Sequence, residues 1–265
     1  MKTRVASSSV LARFAAAAHT YDLESRVQRA VAQKLAAMLP ASAATGSVLE
    51  IGCGTGLLTE LLLNRFPSAV IDALDISGPM IDAAKKRMGE CERLLWHTAD
   101  ARRFCPQKQF ELIASSSALH WMTPAGEIME RISSMLEPGG ELASAVMVEG
   151  TLGELRDACG RLFPRKGEAV HLPSEEEILC AIAGAGLTIG QIRLEQMRET
   201  CGSTRELLRS LNRQGVTGRP EGGSNLLNRT ELLELIEYYD RKFCTPEGGV
   251  IATYCVLYVT ARKER

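Results

Sequence analysis

The chain has 265 residues, 45% hydrophobic and 24% charged, and a formal net charge of -1 at pH 7. That length builds one large domain, or one carrying an insertion, and the near-neutral balance excludes a whole-molecule field for gripping nucleic acid. Eight scattered cysteines form no Cys-x-x-Cys pair and no Cys/His cluster, so no disulfide framework and no metal site is expected. No stretch reaches the roughly 20 apolar residues of a membrane span. The basic, alanine-rich start is broken by polar residues before a signal-type core forms, so a cytoplasmic chain with no membrane partner is expected.

From about Val10 to Leu39 apolar residues recur at helical spacing, with Phe14, Val27, Val31, Leu35 and Met38 facing one way. This predicts one or two helices in a 10–40 segment that packs on the main body. Between 45 and 148 the pattern alternates. Strands are expected at 47–51, 69–74, 93–97, 110–115 and 140–147, and helices at 57–66, 78–88 and 125–136, with "EPGG" at 137–140 as a turn. Such alternation predicts a parallel sheet covered by helices on both faces. Beyond 148, helices are expected at 153–162, 174–184, 203–213 and 228–242, strands at 187–197 and 251–262, and a flexible loop at 217–225. The expected architecture is a single α/β domain, doubly wound, with a mostly parallel seven-stranded sheet. N-terminal helices precede a core at 45–148, and a helical cap at 149–250 is inserted before a final strand at 251–263.

"VLEIGCGTGLL" (48–58) reads as a buried strand, a tight glycine loop and a helix start. Its Gly52-x-Gly54-x-Gly56 spacing differs from the G-x-G-x-x-G of dinucleotide enzymes. Glu50 stands two residues before the first glycine, where a carboxylate repels a pyrophosphate and favours an ammonium or sulfonium group. Asp75 ends the second strand and suits two ribose hydroxyls, and Asp100 follows the third strand, placed for an adenine amino group. Three acids on successive strand ends, with no Lys or Arg matched to them, describe a cationic nucleoside ligand without phosphates. S-adenosylmethionine fits that description and NAD fits poorly.

On these residues the chain resembles the class I S-adenosylmethionine-dependent methyltransferases: "VLEIGCGTG", "ALDIS" followed by Pro79-Met80, and "AD" at 99–100 match the family's cofactor motifs. The resemblance implies the Rossmann-like methyltransferase fold and a backbone approach of the methionine moiety at Gly52, Gly54 and Gly56. It further implies Asp75 and Ile76 on the ribose side, Met80 and Ala101 flanking the adenine, and Ser116 at the cofactor beside Glu50 and Asp100.

The acceptor is less constrained. "SSSALHWM" (115–122) follows the fourth strand, where acceptor-side groups lie in this fold, and no "NPPY"-type motif is present. His120 can serve as a base for an alcohol or line the pocket for a carboxylate, which is already anionic near pH 7. Over nearly its full length the chain resembles the malonyl-[acyl-carrier protein] O-methyltransferases of biotin synthesis (the BioC family). The matching pieces include "RFAAAAHTYDLESRVQ", "ALHW", "VEGTLGEL", "HLPSEEEI", "LLRSLNRQGVT" and "ATYCVLYVTARK".

The resemblance implies esterification of the free carboxylate of a malonyl thioester on acyl carrier protein or coenzyme A. It places Tyr21 in an N-terminal segment that closes over the site. Arg209, flanked at four-residue spacing by Arg205 and Arg213, is the cation expected to orient the malonyl carboxylate. The carrier of this pathway is acidic, so "RLFPRK" (161–166) and "KKR" (85–87) are candidate docking patches. A free small acid, as in aconitate methyltransferases, and a non-catalytic cofactor-binding module stand as alternatives.

Overall fold

Strand-then-helix alternation organises the first half of the molecule, whose structure is a computed structural model describing residues 8–39, 46–164, 166, 172–216 and 227–265. The expected loop at 217–225 lies outside the described residues. Three N-terminal helices, α1 (Ser8–Ala17), α2 (Tyr21–Glu24) and α3 (Arg26–Met38), precede the sheet. Then come β1 (Ser47–Ile51), α4 (Leu57–Arg65), β2 (Val70–Asp75), α5 (Gly78–Met88), β3 (Leu94–Thr98), β4 (Phe110–Ser116), α6 (Ala125–Met135) and β5 (Leu136–Met147). The second half supplies α7 (Gly153–Leu162), α8 (Glu175–Gly184), β6 (Leu187–Cys201), α9 (Thr204–Arg213), α10 (Arg229–Lys242) and β7 (Val250–Lys263).

The seven strands form one sheet in the order β3-β2-β1-β4-β5-β7-β6. The first five are parallel; β7 runs antiparallel to β5, and β6 antiparallel to β7. Strand order reverses across β1, with β2 on one side and β4 on the other, which opens a crevice at the carboxyl ends of these strands.

Alternation along β1 sorts its side chains to two cores. Val48 joins Val27, Val31 and Leu35 of α3 and Leu58 and Leu62 of α4; Leu49 and Ile51 join Ile128 and Ile132 of α6. Both faces are therefore covered, which is why β1, β2 and β4 read as near-continuous apolar runs.

Two expectations change. Leu136 starts β5 instead of ending the preceding helix. "EPGG" is an irregularity inside that strand, the pairing moving from Phe110↔Leu136 to Leu112↔Glu141. Gly140 permits it, since a Cβ there would lie 2.9 Å from the carbonyls of Glu137 and Phe110. The stretch 149–250 is also not all cap. Within it α8 buries Ile178 and Ile182 against the α6 side of the sheet, and β6 is one of the sheet's two edge strands. Only α7, α9 and α10 share the opposite face with α3. No described helix is long and apolar enough to cross a membrane.

Candidate active site

The crevice at the β1 switch point is a cleft of about 1060 Å³, its open mouth included. Its floor is the loop after β1. Gly52 has φ +74°, and a Cβ there would come within 2.3 Å of the Ala118 Cβ, so no other residue fits. Gly54 has φ +53° and nothing within 4 Å of its would-be Cβ, so its bare backbone faces open space in the cleft. Gly56 differs from the other two: it does not line the cleft. At φ +87° it turns the chain into α4 against Met88, so its part is to aim the helix.

Three acids surround that floor in different electrostatic states. Glu50 is 1% exposed and accepts a hydrogen bond from Thr59 Oγ1 at 2.6 Å. Burial pushes its pKa up to about 8, the Thr59 bond pulling it partly back. No cation faces it among the described residues, so the site is built for one that arrives with a ligand.

Asp75 accepts from the Gly54 amide at 2.9 Å and from the Ser77 amide at 2.8 Å, tying the glycine loop to the start of α5. Burial raises its pKa although those amides pull it down. Asp100 corrects the expectation of unmatched acids. Arg102 forks onto it, Nη2 to Oδ2 at 2.6 Å and Nε to Oδ1 at 3.0 Å, and holds its carboxyl below the usual range. One residue, Ala101, separates this pair, on a turn that brings both to the cleft wall. Ile76, Met80, Ala101 and Ser116 line the same cleft.

The N-terminal helices form one wall of the cleft. Phe14 of α1 stands edge-on to Trp121 at 5.5 Å, and both line the cleft with Tyr21. Two side-chain ion-pair latches hold this segment, beside hydrogen bonds from Thr20 to the Arg213 carbonyl and from Gln214 to the Glu24 carbonyl. Asp22 accepts from the Thr55 hydroxyl and lies 3.6 Å from Arg87, joining it to the core; Glu24 pairs with Arg213 at 2.9 Å, joining it to α9. Burial raises the Tyr21 phenol to about 12, so it stays protonated, with a hydrogen to offer.

His120 and Arg209 lie elsewhere than expected. Ser117 has φ +56°, which turns the chain out of β4 into a short 3-10 turn, Leu119–Trp121. That turn presents Ala118, Trp121 and Met122 to the cleft but not His120. The imidazole is 6% exposed, and burial lowers its pKa to about 3, so it is neutral and a poor base. Arg209 is on the exposed side of α9, opposite the buried Leu207 and Leu211, and does not line the cleft. Of the basic runs, Arg87 is used in the first latch and Lys166 pairs with Glu231. Arg165 lies outside the described residues.

Sequence reading missed Thr59, Arg102, Trp121 and Gln28. Gln28 had a visible signal, a polar residue in the otherwise apolar stripe of α3.

An open glycine floor, a buried carboxyl with no cation beside it among the described residues and an acid at the end of β2, under a 3-2-1-4-5-7-6 sheet, define a class I S-adenosylmethionine-dependent methyltransferase. A family model described as a methyltransferase domain matches residues 48–140. The malonyl-[acyl-carrier protein] O-methyltransferase of Paenibacillus sp. (strain JDR-2) is 30% identical over 264 residues, covering 92% of this chain and 94% of that protein. The biotin biosynthesis bifunctional protein BioCD of Bordetella avium (strain 197N) is 32% identical over 259 residues, covering 97% of this chain and 53% of that longer protein. Among solved structures, the YcgJ protein of Bacillus subtilis superposes with a TM-score of 0.62 at 14% identity, covering 89% of this chain and 98% of that one, a likeness of fold. The chain belongs to the malonyl-[acyl-carrier protein] O-methyltransferase family.

Proposed function

We propose that the chain methylates the free carboxylate of a malonyl thioester, carried on acyl carrier protein or on coenzyme A, as an early step of biotin synthesis. The observation that carries this reading is the extent of the likeness to the Paenibacillus relative, 92% of this chain, well beyond the cofactor core.

The residues fit the cofactor. Gly54 leaves room at the loop, Glu50 offers a buried carboxyl that ionises opposite an ammonium, and Asp75 keeps lone pairs for hydroxyls beyond its two amide bonds. When bound, S-adenosylmethionine supplies an electrophilic methyl group on a sulfonium whose sulfur leaves as a neutral thioether. The acceptor carboxylate is already an anion near pH 7, so the transfer would ask no proton of the protein. No base is needed, in agreement with a neutral, buried His120.

The chain's work is therefore positioning and exclusion of water. Tyr21, held protonated on the N-terminal wall, donates to a carboxylate oxygen and aims it. Phe14, Trp121 and Met122 keep the site dry around it. Neutral donors suit this reaction because they orient the carboxylate without drawing off the lone pair that attacks. The product is an uncharged ester, which an apolar pocket accepts at less cost than an anion.

A growth test checks the reading. A bacterium lacking its own malonyl-carrier methyltransferase should grow without biotin when it expresses this chain, and should fail with the Asp75→Ala variant. Failure of the wild-type chain, expressed and able to bind S-adenosylhomocysteine, would contradict it.

A further inference from the structure

Gln28 lines the cleft from the first turn of α3, only 8% exposed. Its Nε2 donates to Gln214 Oε1 at 2.9 Å. Gln214, itself 2% exposed, donates through its own Nε2 to the Glu24 carbonyl at 2.9 Å and to Ser210 Oγ at 3.1 Å. A backbone carbonyl can only accept, so Gln214 must turn its nitrogen to Glu24 and its oxygen to Gln28. The orientation of Gln28 follows. Its nitrogen is committed, and its oxygen is left buried with no partner among the described residues. A buried acceptor without a donor is costly, and such groups in native proteins call for an occupant.

The surroundings select that occupant. Val48 points into the core that holds Val27, Val31 and Leu35 of α3, and strand alternation sends Glu50 to the same side. Ile76 and Asp100 follow β2 and β3, across β1 from β4 and β5, the strands on which α3 packs. The Gln28 end of the cleft thus combines an amide oxygen with the Glu50 carboxylate, two acceptors that match a group rich in N–H and positive charge. A malonyl carboxylate has no hydrogen to offer there.

We propose that Gln28 Oε1 accepts a hydrogen bond from the α-ammonium of bound S-adenosylmethionine, sharing that cation with Glu50, and that Gln214 is the positioning residue that fixes the amide. The chain segment following α9 thereby orders a cofactor ligand without touching the cofactor.

Calorimetric titration of the full chain with two probes separates this role from a general one. S-adenosylhomocysteine carries the ammonium; 5′-methylthioadenosine lacks the amino-acid portion and reports only on the nucleoside half. Gln28→Met, close in volume, should weaken S-adenosylhomocysteine about tenfold or more, as expected for a lost hydrogen bond to a charged group, and leave 5′-methylthioadenosine unchanged. Gln214→Leu should weaken S-adenosylhomocysteine alone as well, and adding it to Gln28→Met should cost nothing further.

Equal loss for both probes would make Gln28 a structural residue and overturn the proposal. So would unchanged S-adenosylhomocysteine affinity with a raised KM for the malonyl thioester. Full additivity of the two substitutions would remove Gln214 from the relay.

Discussion

Glu50 is a buried carboxyl placed where the described residues supply no counter-charge. Its pKa of about 8 lies above the ordinary carboxylate range because burial penalises the charged form more than the Thr59 hydroxyl relieves it. The sign of the pH effect follows. Between the ordinary carboxylate pKa and about 8, the folded site holds a proton that the unfolded chain has lost. That contribution to stability is complete below the unfolded pKa and is lost as pH rises through about 8. The cofactor-free protein should melt at lower temperature as pH rises from about 6 to about 9, and Glu50→Gln should flatten this part of the profile. A cationic ligand reverses the preference, so binding S-adenosylhomocysteine near pH 7 should release a proton. Titrations in buffers of different ionisation enthalpy measure that proton. Its persistence in Glu50→Gln would assign it to another group.

At the scale of elements, two ion-pair latches with different partners help fasten the N-terminal helices, beside the hydrogen bonds to the end of α9. The Asp22 latch bridges α2 to the glycine loop through Thr55 and to α5 through Arg87, while the Glu24 latch bridges α2 to α9. Both are partly exposed, and such pairs are individually weak. A segment held this way can open to admit a cofactor without unfolding the sheet. Asp22→Ala should therefore speed S-adenosylhomocysteine release several-fold while leaving the melting temperature of the cofactor-free protein nearly unchanged. Stopped-flow displacement measures the first and a thermal scan the second. An unaltered release rate would mean that this latch does not gate the cleft.

At the scale of the whole molecule, the parallel half of the fold was legible because β1, β2 and β4 are buried on both faces and keep their apolar character whatever packs on them. The second half was harder. β6 is an edge strand with Ile192 and Leu194 about half exposed, so its pattern says little about which face is core. The cap was drawn too large because α8 carries a helix signature that does not distinguish packing under α6 from packing over the cleft.

The same divide runs through the site. Glu50, Asp75 and the glycines were readable because strand ends and tight turns fix their directions locally. His120 was not, since one left-handed residue, Ser117, decides which side chains of the following turn face the cleft. Gln28 meets Gln214 across 186 residues of chain, a contact no local spacing records.

The central claim is methyl transfer to a malonyl carboxylate, and intact-protein mass spectrometry of the carrier tests it most directly. Incubated with S-adenosylmethionine and this chain, malonyl-acyl carrier protein should gain one methyl group, removable by an esterase, while acetyl-acyl carrier protein should gain none. A malonyl carrier unchanged in mass, with the chain shown to hold the cofactor, would contradict the account.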